Sequence, residues 1–250
     1  MAAFSRTLRV FAAAIVQLHP LLPGRSVNNL DSFLTTMEKA NISRIVFLRH
    51  GKTGPSTTGK DFDRLLTQEG QDQARACGKI LGTQLKPLFS PLLVSSAPRT
   101  VETAKIFLNA CCNEDEGNSP QISVIQELYD GTMQPKGSVL FKQIGYAPLR
   151  RYLEHENDDW RNDAQSVLGP YAYSTIDIIM DTVGLSKPAP VPSTLLVVAH
   201  AIYLPAAALG VAVLANCNDV DITLTTETQE GDGYLIDLSR SCVEYISWRD

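Results

Sequence analysis

With 250 residues, 44% of them hydrophobic and 20% charged, the chain has material for one globular domain carrying an insertion rather than two independent cores. A net charge of −5 with no basic run argues against nucleic acid or anionic lipid as a partner. The five cysteines, Cys77, Cys111, Cys112, Cys217 and Cys242, contain no C-x-x-C pair, and the four histidines show no close ligand spacing. Neither a disulfide framework, nor a local metal site, nor a cofactor is therefore expected.

The first thirty residues hold Arg6, Arg9 and Arg25, several Ser and Thr, and no acid. That is the composition of a mitochondrial or plastid transit peptide, with a secretory signal and an ordinary flexible terminus as the competing readings. Without such an address the chain would be cytoplasmic. Leu30, Phe33, Leu34 and Met37 recur at helical spacing and predict a short amphipathic helix, so residues 1–40 read as a terminal segment and 41–250 as the main domain.

Arg44-Ile45-Val46-Phe47-Leu48 reads as a buried strand that delivers Arg49 and His50 onto a turn at Gly51. A polar loop, 52–63, follows. Thr67 and Gly70 then flank a helix start, with Ala74, Cys77, Ile80, Leu81 and Leu85 as the apolar face and Pro87 as the stop. Residues 92–96 predict a second strand. Ala97-Pro98-Arg99-Thr100 turns from it into a helix carrying Val101, Ala104, Ile106, Phe107 and Leu108, which stops at the polar loop 113–119.

Ile122-Ser123-Val124-Ile125 predicts a short third strand with Glu127 just beyond it. Residues 131–192 look like an inserted helical cap, whose Tyr146, Tyr152, Trp160, Tyr171 and Tyr173 read as packing groups. Thr194 to Ala199 is a buried fourth strand ending at His200. The uncharged run 195–215 matches a membrane span in length. Its change from β-branched to Ala/Leu-rich at His200, with Pro205 placed for a first helical turn, divides it instead into strand, turn and helix. Residues 233–238 and 242–248 predict a closing β-hairpin. The expected fold is a three-layer α/β/α domain with a mostly parallel central sheet, a helical cap insertion and a C-terminal β-hairpin.

Three buried strands thus end in Arg49 and His50, in Arg99 and in His200. Parallel strands of one sheet would bring those ends together, in the crevice where open α/β sheets bind ligands. Two guanidiniums and two imidazoles in one crevice form an anion site, because the rigid donor fork of Arg matches phosphate oxygens.

These residues resemble the histidine phosphatase superfamily, which includes phosphoglycerate mutases and many phosphatases. The likeness lies in Leu48-Arg49-His50-Gly51, Leu66-Thr67-Gln68-Glu69-Gly70, Ser95-Ser96-Ala97-Pro98-Arg99-Thr100 and Val198-Ala199-His200. Asp61-Phe62-Asp63-Arg64-Leu65-Leu66-Thr67 is similar to the small phosphohistidine phosphatases of that superfamily. The resemblance implies metal-free hydrolysis of a small-molecule phosphate ester or of phosphohistidine. His50 would be the nucleophile, Arg49 and Arg99 the phosphate clamp, and a charged His200 a donor to the transferring group. Glu127 would be the proton donor to the leaving group, with Asp63 and Asp130 in reserve, and Thr53 a further phosphate contact. Ala201, where members often have Gly, and Lys52 after the Arg-His-Gly triplet weigh against a mutase more than against a phosphatase. A phosphate-binding module without turnover is the alternative within this fold.

A reading from another class rests on Gly54-Pro55-Ser56-Thr57-Thr58-Gly59-Lys60, which has the G-x-x-x-x-G-K spacing of a nucleotide-binding P-loop. Asp61 stands where that motif needs Ser or Thr.

Overall fold

The computed structural model of the protein describes residues 29–111, 120–129 and 135–249. The targeting segment expected in residues 1–28, Cys112, the loop 113–119 and Asp130 lie outside the described residues.

Helix α1 (Asn29–Lys39) buries Phe33 and Met37 against the body, as the apolar spacing predicts. Strand β1 (Ile42–Arg49) is followed by a loop, a short 3-10 turn (Asp61–Asp63) and helix α2 (Gln68–Leu85). The Thr67 hydroxyl caps α2 by accepting from the Gly70 N–H at 3.1 Å. Strand β2 (Leu92–Ser95) turns through Ala97 into helix α3 (Pro98–Cys111), with Pro98 at a position where its missing N–H has no intrahelical role. Strand β3 (Ile122–Ile125) leads into the inserted helices α4 (Pro135–Ile144), α5 (Leu149–Leu153) and α6 (Asp158–Leu185). Strand β4 (Ser193–Ala199), helix α7 (Tyr203–Leu214), helix α8 (Asp221–Thr225) and strands β5 (Gly233–Asp237) and β6 (Cys242–Ile246) complete the chain.

The six strands form one sheet in the order β3-β2-β4-β1-β5-β6. The first four are mutually parallel, while β5 runs antiparallel to β1 and pairs with β6 as the expected hairpin. Successive side chains of a strand point to opposite faces, and the sequence is apolar on both. Ile45 and Phe47 of β1, with Leu195 and Val197 of β4, pack under α1, α6 and α7. Val46 and Leu48, with Leu196 and Val198, pack under α2 and α3. The result is the three-layer architecture expected from the sequence.

Helix α2 meets α3 through a stripe of small residues. A side chain at Gly78 would stand 2.4 Å from the Phe107 carbonyl oxygen, and one at Gly82 would stand 2.6 Å from Cys111 Cβ. That stripe replaces part of the predicted apolar face, and Ile80 is 40% exposed in consequence. The run 195–215 divides where expected, into β4 and a 12-residue α7 with Pro205 in its first turn. Among the described residues, no helix is long and apolar enough to cross a membrane.

Candidate active site

Register aligns the ends of the parallel strands. Arg49 stands beside Ala199 across the β1–β4 ladder, and Val94 stands beside Val198 across β2–β4. The residues just beyond these positions are His50, His200 and Ser95. His50 and His200, together with Arg49 and with Arg99 in the first turn of α3, converge on a cavity of about 300 Å³, also lined by Asp61, Arg64, Phe141, Lys142, Tyr146 and Tyr203.

His50 is held from both sides. Its Nδ1–H donates to the Gly51 carbonyl at 2.8 Å, which leaves the lone pair on Nε2. Arg99 Nε–H donates to that Nε2 at 3.3 Å. Burial, then His200, Arg99 and Arg49, hold the His50 pKa well below its ordinary value, so the ring is neutral near pH 7. His200 accepts from Arg99 Nη2 at Nδ1, 3.3 Å away, and its Nε2–H faces Ser95 Oγ at 2.7 Å. The two imidazole rings stand edge to face at 5.2 Å. The sequence resemblance implied a charged His200. Burial, aided by Arg99 and Arg49, holds its pKa well below the ordinary value and favours the neutral ring.

The two guanidiniums are anchored differently. Arg49 is 2% exposed and donates to the Thr228 carbonyl at 2.6 Å, with Glu230 at 3.7 Å, while the Tyr146 ring covers it at 4.5 Å. Its Nε–H is buried and has no hydrogen-bond partner among the described residues. Arg99 donates from Nη1 to the Asp61 main-chain oxygen at 2.6 Å and from Nη2 to Asp61 Oδ2 at 2.7 Å. A carboxylate therefore holds one edge of the guanidinium that a phosphate would use.

The loop carrying His50 is fixed by tight backbone packing. A side chain on Gly51 would stand 2.4 Å from the Gly70 carbonyl oxygen, and one on Gly70 would stand 2.1 Å from the Lys52 carbonyl oxygen. Around this contact, the Thr67 N–H donates to the Lys52 carbonyl at 3.0 Å, and the Lys52 N–H to Gln73 Oε1 at 2.8 Å. The Gly51 N–H donates to Thr103 Oγ1 at 3.2 Å. Residues 67–73 thus act as the floor on which the Arg-His-Gly turn rests. Lys52 points to the surface and pairs with Glu69 at 2.5 Å.

Other expected residues lie elsewhere. Glu127 is exposed and does not line the cavity, because the helical turn after β3 directs Leu128 and Tyr129 inward. Thr53 forms an isolated bridge with Leu66 outside the cavity wall. Asp63 accepts from the Thr58 hydroxyl at 2.5 Å. Ala201 lines the cavity, and its backbone needs no left-handed conformation. The stretch Gly54 to Lys60 leads into the 3-10 turn rather than closing on a helix N-terminus, so the P-loop reading is set aside. The expectation that the cap aromatics only pack holds for the buried Tyr152 and Tyr171 but not for Tyr146, which is 48% exposed and lies over Arg49. Asp61, Arg64, Lys142 and Tyr203 were not expected in the site, and the resemblance of 61–67 to the small phosphohistidine phosphatases was the one signal pointing to the first two.

Comparison with known proteins follows this geometry. A phosphoserine phosphatase from Entamoeba histolytica, solved with 3-phosphoglyceric acid, superposes with a TM-score of 0.50 at 16% identity, over 82% of this chain and 95% of that one. A mycobacterial glucosyl-3-phosphoglycerate phosphatase solved with VO3 gives 0.48 at 16% identity, over 82% and 98% of the two chains. The protein histidine phosphatase SixA complexed with tungstate gives 0.45 at 17% identity, over 82% and 97%. Among curated proteins, none matches by sequence. The family model described as histidine phosphatase superfamily (branch 1) matches residues 45–116, the span that runs from β1 through α3 and contains Arg49, His50 and Arg99. Over those residues the chain is similar to the histidine phosphatase superfamily.

Proposed function

We propose that the protein is a metal-independent phosphatase that hydrolyses a small phosphomonoester or phosphoramidate through a phosphohistidine on His50. The observation that carries this reading is the fixed tautomer of His50: Nδ1–H is committed to Gly51, and the Nε2 lone pair faces the cavity beside Arg99. A neutral buried imidazole is the form needed for attack on phosphorus.

In the first step the Nε2–P bond forms as the P–O bond to the leaving group breaks. Arg49 and Arg99 donate to the equatorial oxygens, where charge redistributes. A dianion in the cavity would also favour a protonated His200, against the burial that holds its pKa down, giving a third donor. In the second step water attacks phosphorus, the N–P bond breaks and phosphate leaves. The same cavity could retain phosphate without turnover, and one experiment separates the two. Brief exposure to a labelled phosphate ester in excess chelator, followed by quenching, should leave acid-labile phosphate on the protein. His50→Ala should abolish both the label and turnover while the melting curve stays cooperative. Wild-type protein that takes up no label, or a His50→Ala variant that still hydrolyses the ester, refutes the reading.

A further inference from the structure

We infer that Asp61 is the proton donor to the leaving group and the base for the second step, an assignment that rests on the phosphatase reading above. Among the described residues lining the cavity, Asp61 carries the one carboxylate. Its Oδ2 is 2.7 Å from Arg99 Nη2, and the Nε of the same guanidinium is 3.3 Å from His50 Nε2, so a single planar group separates the carboxylate from the nucleophile.

The other carboxylates nearby are turned away or engaged. Glu127 is exposed outside the cavity, Asp63 accepts from Thr58, and Glu230 stands beside Arg49 without lining the cavity. The residues after His200 are Ala201 and Ile202, which offer no acid.

Two features suit Asp61 to a proton-transfer role. Its main-chain oxygen is held by Arg99 Nη1 at 2.6 Å, so the residue stays at the rim even when its side chain rotates. That side chain is 51% exposed, which gives it direct exchange with solvent. A phosphate dianion competes with the carboxylate for Arg99. That competition frees Asp61 Oδ2 to turn toward the leaving group, while Arg64 Nη1, 3.3 Å from Oδ1, keeps the side chain at the rim.

The protons balance over the cycle. As the N–P bond forms and the P–O bond breaks, the Asp61 carboxyl gives its proton to the departing oxygen, releasing an alcohol and leaving a carboxylate. When water attacks phosphorus and the N–P bond breaks, that carboxylate takes one proton of the water and the other stays on the phosphate. The sum is ester plus water giving alcohol plus hydrogen phosphate, with Asp61 again protonated.

A leaving group that departs as a stable anion needs no donor, and this sets the test. Phosphoenzyme formation is timed by rapid quench with p-nitrophenyl phosphate and with an alkyl phosphate that the wild-type enzyme hydrolyses. Asp61→Asn should slow formation from the alkyl ester by about 10²- to 10⁴-fold, the usual range for general acid catalysis, and from the nitrophenyl ester by less than about tenfold. Asp61→Glu, which keeps a carboxyl group, should recover part of the alkyl-ester rate. If the wild type labels at His50 but Asp61→Asn slows both esters equally, or neither, the assignment of Asp61 is wrong and the phosphatase reading stands. If the wild type never labels, the phosphatase reading itself fails.

Discussion

Replacing Gly70 by alanine sets two effects of known sign against each other. Gly70 lies in the first turn of α2 without a positive φ, so helix propensity alone favours alanine by about 1 kcal/mol. Against this, the new Cβ would stand 2.1 Å from the Lys52 carbonyl oxygen and 2.8 Å from the Lys52 nitrogen. Both atoms belong to backbone, so no rotamer change relieves the clash. Either α2 or the turn after His50 must move, at the upper end of the usual overpacking cost of about 1–3 kcal/mol. The net expectation is a loss of about 2 kcal/mol, or about 4–8 °C in Tm for a chain of this size.

Thermal and urea unfolding measure that loss, and rapid-quench labelling of the same variant should show a slower phosphoenzyme step because Lys52 is two residues from His50. Gly184→Ala, also helical but with nothing within 4 Å of its new Cβ, serves as the control and should be neutral or slightly stabilising. A Gly70→Ala protein melting at or above the wild-type temperature would show that the turn does not rest on α2 as described.

Three further outcomes can be measured independently. Because burial keeps His50 and His200 neutral in the folded protein, the unfolded chain binds protons below about pH 6.5 that the native state refuses. Stability should therefore be constant from this source above that pH and fall below it, by at most about 1.4 kcal/mol per pH unit for each ring, and urea midpoints across pH 5–8 would show this. Thr67→Ala removes the cap of α2 and should cost about 1 kcal/mol, read as a shifted urea midpoint at unchanged m. Tyr146→Ala uncovers Arg49, and since an exposed cation–π contact is worth about 0.5–1 kcal/mol, it should change KM about two- to fivefold while leaving kcat near wild type.

The sheet was readable because its strands are short apolar runs bounded by Gly, Pro and charged residues, and because Thr67 sits where an N-cap hydroxyl must. The convergence of Arg49, His50, Arg99 and His200 followed from parallel strands alone, since register fixes what lies beyond their ends. Asp61 and Tyr146 were harder. They reach the cavity from an irregular loop and from the turn between α4 and α5, where no periodicity dictates direction. Glu127 was expected to face the site by its place after β3. Local burial overrode that place, because Leu128 and Tyr129 compete for the inward side of the same turn and are more apolar. The dryness around His200, which holds its pKa down, is likewise not legible in a sequence.

The unmet Nε–H of Arg49 has a consequence for how the protein should be handled. A buried donor without a hydrogen-bond partner among the described residues, beside two imidazoles that burial keeps neutral, costs the folded state free energy. An oxyanion that fills the clamp binds only the folded chain, so its affinity adds directly to the folding equilibrium. Inorganic phosphate, vanadate or tungstate in the buffer should then act as a stabiliser out of proportion to its size, about 2.7 kcal/mol at a hundred times its Kd.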